Sequence, residues 1–224
     1  MKKLSILAFS IFPLTNLGKL KIDDERFEFT APGNIKNPET VHDYLNKKCV
    51  DILILNIFMD DHPGSIQAGL SFVKRARQHG FKGLIIGTSN HHENEHKITK
   101  AILNGFDMYV SDEILSEKLT KIASAFANIR LPEEESFVLN QSEYNCLVRD
   151  AGKYLFKDFA KTFCRLHKAR WVIVSQDKEV IDYHPDEEAP SKMSLMELMN
   201  KEQKYLFLFS RSEFFNKEKR KIAA

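Results

Sequence analysis

Short apolar runs alternate with amphipathic helical patterns through the first 130 residues, and this rhythm restricts the fold more than any other feature of the chain. Leu4 to Ile11 and Arg26 to Thr30 read as strands, as do Val50 to Phe58, Gly83 to Gly87 and Met108 to Val110. The run Val50 to Phe58 is almost wholly apolar, as a strand covered on both faces must be. Between the runs, Pro38 to Lys47, Ser65 to His79, Glu93 to Asn104 and Ser116 to Ile129 carry apolar residues at helical spacing. Gly80 and Gly105 stand where two of these helices should stop. Strand and helix in strict alternation imply right-handed βαβ units, so we expect an α/β domain with a five-stranded, doubly wound parallel sheet over residues 1–130.

Leu131 to Ser136, with Pro132 and three consecutive glutamates, ends that rhythm and is the expected boundary to a second domain over 137–224. The second domain reads as small and α+β. Ser142 to Lys168 is helical by pattern, with a break expected near Gly152. Trp171 to Ser175 and Glu179 to His184 flank Gln176-Asp177-Lys178 as an antiparallel hairpin. Ser191 to Asn200 reads as a Met/Leu helix, with Met193, Met196 and Met199 as core filling, and Tyr205 to Phe209 as a further strand.

Composition narrows the function classes. The 33 Lys plus Arg nearly balance the 31 Asp plus Glu of the 224 residues, so net charge gives no argument for nucleic acid or anionic membrane. No apolar run reaches the roughly 18 residues of a membrane-spanning helix. Lys2 and Lys3 before Leu4 to Leu14 resemble the start of a secretory signal, but no small-residue cleavage site follows, and the run is needed as the first strand. Cys49, Cys146 and Cys164 are odd in number and form no CxxC pair. They read as packing residues in a reducing cytoplasm.

Three segments carry a resemblance to the receiver domain of bacterial response regulators. Asn56-Ile57-Phe58-Met59-Asp60-Asp61-His62-Pro63-Gly64 keeps the Met and Gly of that family's D-x-x-M-P-x-x-x-G phosphoacceptor loop. Leu84-Ile85-Ile86-Gly87-Thr88 is similar to its P-I-I-x-L-T strand, with Thr88 at the switch hydroxyl position. Gly105-Phe106-Asp107-Met108-Tyr109-Val110-Ser111-Asp112-Glu113 is similar to its G-A-D-D-Y-L-x-K-P segment. The resemblance covers about residues 1–130 and implies a flavodoxin-like receiver fold.

The departures sit at the chemistry. In the family, an acid pair after the first strand and the acceptor aspartate hold Mg²⁺, and a lysine after the fifth strand contacts the acyl phosphate. The corresponding positions here are Ser10 and Ile11, Asn56, and Asp112. An amide is no acyl-phosphate nucleophile. Ser and Ile are no substitute for anionic oxygen ligands of a hard cation. Asp112 repels what the lysine attracts. Asp60 and Asp61 lie four and five residues beyond Asn56, and Asp23-Asp24 lies too close to it in sequence, so a rescue of the site by either pair is the disfavoured alternative. The resemblance therefore implies a degenerate phosphorylation pocket of Ser10, Ile11, Asn56, Thr88 and Asp112. It also implies a pseudo-receiver acting without metal or cofactor, through protein partners or a homodimer. The implied interaction face is the family's fourth helix, fifth strand and fifth helix, with Tyr109 at the aromatic switch position.

Two other patterns compete. His92, Glu93 and His96 spell HExxH, the signature of a zinc hydrolase, with Glu113 or Glu117 as candidate third ligands. Its flanks are polar, and a solvated helix start is the expected reading, with no metal. Lys161, Arg165, Lys168 and Arg170, with Phe159, Phe163 and Trp171, suggest a basic-aromatic surface, the basis for an alternative reading as a transcriptional regulator whose second domain binds DNA. No helix-turn-helix spacing accompanies them, and a solvated helix face is expected instead. The basic tail Lys217 to Lys221 reads as a terminus. The expectation is a cytoplasmic, non-enzymatic signalling protein of the two-component type.

Overall fold

The computed structural model describes residues 3–9, 20, 22, 24–30, 45, 49–56, 65–89, 95–130, 141–184 and 204–209. The chain divides into two compact units, Met1–Ala127 and Asn128–Ala224.

The first unit is a five-stranded parallel sheet in the order β2-β1-β3-β4-β5. Its strands are β1 (Leu4–Phe9), β2 (Phe27–Thr30), β3 (Ile52–Asn56), β4 (Leu84–Ser89) and β5 (Met108–Ser111). This is the flavodoxin-like order, and the five expected strands are all present. The central strands explain why the fold is unambiguous. Ile52 to Leu55 and Leu84 to Ile86 are entirely buried, because helices cover a parallel sheet on both faces. Each such aliphatic side chain contributes about 1.5–3 kcal/mol. The β1 run that resembles a signal segment pairs with strands on both sides, Leu7 opposite Thr30 and Leu53.

Three helices are described in this unit: α1 (Ser65–Gln78), α2 (Glu95–Leu103) and α3 (Asp112–Arg130). Phe72, Val73 and Ala76 bury one stripe of α1, and Leu115, Leu119, Ile122 and Phe126 one stripe of α3. Gly80 (φ +84°) and Gly105 (φ +106°) close α1 and α2 in the left-handed conformation, as expected. Differences lie at other ends. β3 is shorter than the expected strand, and Ile57 and Phe58 lie outside the described residues. Helix α3 starts at Asp112, four residues earlier than expected, directly after Ser111. The expected helix 38–47 and the boundary 131–136 lie outside the described residues, apart from the helical, buried Leu45. The division between units falls in the last turn of α3.

A network of hydrogen bonds fastens the N-terminal ends of β4 and β5. Arg77 on α1 donates to the carbonyls of Gly105 (2.9 Å), Phe81 (2.8 Å) and Gly83 (2.8 Å), and its guanidinium pairs with Asp107 at 2.7 Å. Asp107, 4% exposed, also accepts the Ile85 N–H at 2.6 Å. A Cβ at Gly105 would lie 2.8 Å from Arg77 Cγ, so glycine there serves both the turn and the approach of Arg77.

In the second unit, α4 (Gln141–Leu166) leads to a three-stranded antiparallel sheet of order β7-β6-β8. The strands are β6 (Trp171–Ser175), β7 (Val180–His184) and β8 (Lys204–Leu208). The hairpin forms as expected, and Lys178 takes φ +67° in its turn. Tyr205 opposes Val174 on β6, and its ring lies 5.4 Å from that of Phe156 on α4. Gly152 does not break α4. The Tyr205 ring occupies the space a Cβ at Gly152 would need, so this glycine is a contact point between helix and sheet. The expected helix 191–200 lies outside the described residues.

Candidate functional site

Open α/β sheets place their ligand sites beyond the C-terminal ends of the strands, at the point where strand order reverses, here between β1 and β3. Asn56 is the last residue of β3 and lies in register with Thr88 on β4; Thr88 in turn lies beside Val110, and Ser89 beside Ser111. Parallel pairing thus puts Asn56 and Thr88 at adjacent strand ends, with Asp112 one residue past β5. Ser10 and Ile11, expected to complete the pocket, lie outside the described residues, as do Asp60 and Asp61.

Asp112 occupies the first turn of α3 rather than an extended strand end. An acidic residue suits that position, because the first turn of a helix carries positive partial charge. The helix start turns its carboxylate toward β4, where the fully buried Thr88 hydroxyl donates a hydrogen bond to Asp112 Oδ1. Oδ2 is buried with no hydrogen-bond partner among the described residues. Burial raises the Asp112 carboxyl above its ordinary value of 3.8, and the bond from Thr88 works in the opposite direction. Sequence reading placed Thr88 and Asp112 in one pocket but missed the bond between them, since an acid after a strand does not announce that it begins the next helix.

The other candidates separate. Asp24 precedes β2, at the opposite end of the sheet from Thr88, and is held by Arg26 at 2.7 Å, which keeps its carboxyl below the usual value. Arg26 also donates to Ser124 on α3 at 3.0 Å. Asp24 is therefore committed to a structural pair. Tyr109 lies half-buried on β5. His92 and Glu93 of the HExxH string lie outside the described residues, as does the His96 side chain, while Glu113 and Glu117 are exposed on α3. Among the described residues, no group of His, Cys, Asp and Glu could hold a metal ion.

The basic-aromatic candidate in the second unit is altered by burial. Trp171 is 4% exposed and stacks on His184 at 6.0 Å, so it offers no free ring face as a reading platform. Phe163 is half-buried and stacks on His167 at 4.2 Å, with Tyr183 edge-on at 5.1 Å. From 141 to 184 a single helix leads into a hairpin, with no helix-turn-helix. None of the described helices is long and apolar enough to cross a membrane.

No family model matches the chain, and no curated protein matches it. Solved structures similar to it include the Francisella response regulator 1452 receiver domain, at 14% identity over 55% of this chain and 96% of that one, with a TM-score of 0.43. The isolated REC domain of RcsB from Salmonella enterica serovar Typhimurium is 17% identical over 62% of this chain and 100% of its own, with a TM-score of 0.44. The response regulator domain of Thermotoga maritima CheB is 16% identical over 56% of this chain and 97% of its own, with a TM-score of 0.41. By their titles, these three are receiver, REC and response regulator domains.

Proposed function

We propose that the chain is a cytoplasmic, non-enzymatic signal-transduction protein whose first unit is a pseudo-receiver. The observation that carries this reading is the hydrogen bond from Thr88 to Asp112. In a phosphate-accepting pocket a hydroxyl and a cation complement the phosphoryl oxygens; here the hydroxyl is engaged by a carboxylate standing in the cation's place. An incoming phosphoryl group meets like charge at close range, in surroundings where burial strengthens the repulsion. Position 56, in register with Thr88, is an asparagine and so brings no carboxylate to accept it.

With phosphoryl chemistry lost, recognition of a protein partner or of a second copy remains, through the face formed by α2, β5 and α3. Tyr109 on β5, together with Leu103 (57% exposed) at the end of α2 and Ile114 (37% exposed) at the start of α3, supports that reading. Light scattering on the full chain tests it. Self-association or partner binding should be lost in Tyr109→Ala and Ile114→Asp and be unchanged by beryllofluoride with Mg²⁺. A beryllofluoride-dependent change of assembly state would overturn it.

A further inference from the structure

Because α4 runs unbroken through Gly152, five basic residues fall into a single series along it: Arg149, Lys153, Lys157, Lys161 and Arg165, each four residues from the last. Arg149, Lys153 and Lys157 are exposed, and Lys161 and Arg165 are half-buried. Four residues rise about 6 Å, so the series extends about 24 Å along the helix. Four residues also overshoot a 3.6-residue turn by about 40°, so the cations wind around α4 by about 160° from first to last. Two carboxylates, Asp150 and Asp158, lie close to the series and leave it with an excess of positive charge. At the C-terminal end of the same helix, the rings of His167 and Tyr183 are exposed in the cluster with Phe163.

We infer that this winding cationic stripe binds the phosphodiester backbone of a single-stranded nucleic acid. A repeating polyanion matches a repeating row of cations, and neutralising phosphates releases condensed counterions. A straight duplex or a flat membrane touches only the part of a winding row that faces it, whereas a flexible strand can follow it around the helix. The exposed rings then serve bases by stacking, which tolerates any sequence. This function belongs to the second unit and goes beyond the pseudo-receiver reading of the first.

Fluorescence anisotropy with the full chain and a labelled oligothymidylate of about 20 nucleotides tests it across about 50 to 200 mM KCl. Five phosphate contacts give a log–log salt slope of about −3.5 on a single strand. Arg149→Gln, Lys153→Gln and Lys157→Gln combined should weaken binding at least about tenfold and flatten the slope by about 2, with circular dichroism unchanged. Asp150→Asn with Asp158→Asn should tighten binding. Tyr183→Ala should weaken it without changing the slope. Failure of the wild-type chain to bind at the lowest salt would overturn the inference. So would an unchanged affinity in the triple variant, tighter binding to a duplex of the same length, or binding to anionic phospholipid vesicles in place of the oligonucleotide.

Discussion

Asp112 is the residue whose ionisation has the clearest consequence. Its carboxyl sits above the ordinary value because burial disfavours the charge. A raised value in the folded state means that protonation favours folding. That contribution is complete below the ordinary value of 3.8 and is lost as pH rises through the raised one. Asp112→Asn keeps an oxygen to accept from Thr88 and removes the buried charge. The variant should be as stable as the parent in acid and more stable at pH 7 by about 1 kcal/mol. Urea unfolding at several pH values measures this; equal pH dependence in the two proteins would show that Asp112 carries no such cost. Arg77 and Asp107 make the opposite case. Asp107 is buried, Arg77 is half-buried, and each has several hydrogen bonds, so Arg77→Ala, which leaves a buried carboxylate without its cation, should lower stability by about 3 kcal/mol in the same assay. A loss below about 1 kcal/mol would place the pair among ordinary surface ion pairs.

Elements were legible in the sequence wherever one local rule decided them. The buried strands β3 and β4 follow from uninterrupted aliphatic runs, and the ends of α1 and α2 from Gly80 and Gly105, because burial on two faces and a left-handed cap each leave a local mark. What the sequence hid depends on distant residues. Gly152 reads as a helix breaker, yet the residue that makes glycine necessary is Tyr205, 53 positions away on β8. Gly152→Ala should therefore raise helix propensity but lower stability, by about 1–3 kcal/mol, since the new methyl displaces a packed ring. Thermal unfolding followed by circular dichroism decides between the two effects; a more stable variant would mean that the helix and β8 separate easily. The Arg77–Asp107 pair was hidden for the same reason. Thirty residues separate its members, and no periodicity links them. Asp112 and Thr88 were both named from the sequence, but their partnership needs the helix to begin immediately after β5.

At the level of the whole molecule, two units of different architecture share one chain. The first unit is a parallel sheet in the flavodoxin-like strand order, and the proposed loss of phosphorylation chemistry is a claim about the residues at its switch point. The antiparallel second unit carries a charged helix and exposed rings. Restoring one side chain should not restore the chemistry. Asn56→Asp adds the nucleophile, but the carboxylate of Asp112 still engages Thr88, and the positions after β1 still read Ser10 and Ile11. Intact-mass spectrometry after incubation with acetyl phosphate and Mg²⁺ is the most direct measurement. Both the natural chain and Asn56→Asp should retain their unmodified mass, whereas a Mg²⁺-dependent phosphoryl adduct on the natural chain, removed by hydroxylamine as an acyl phosphate is, would contradict the loss of phosphorylation chemistry.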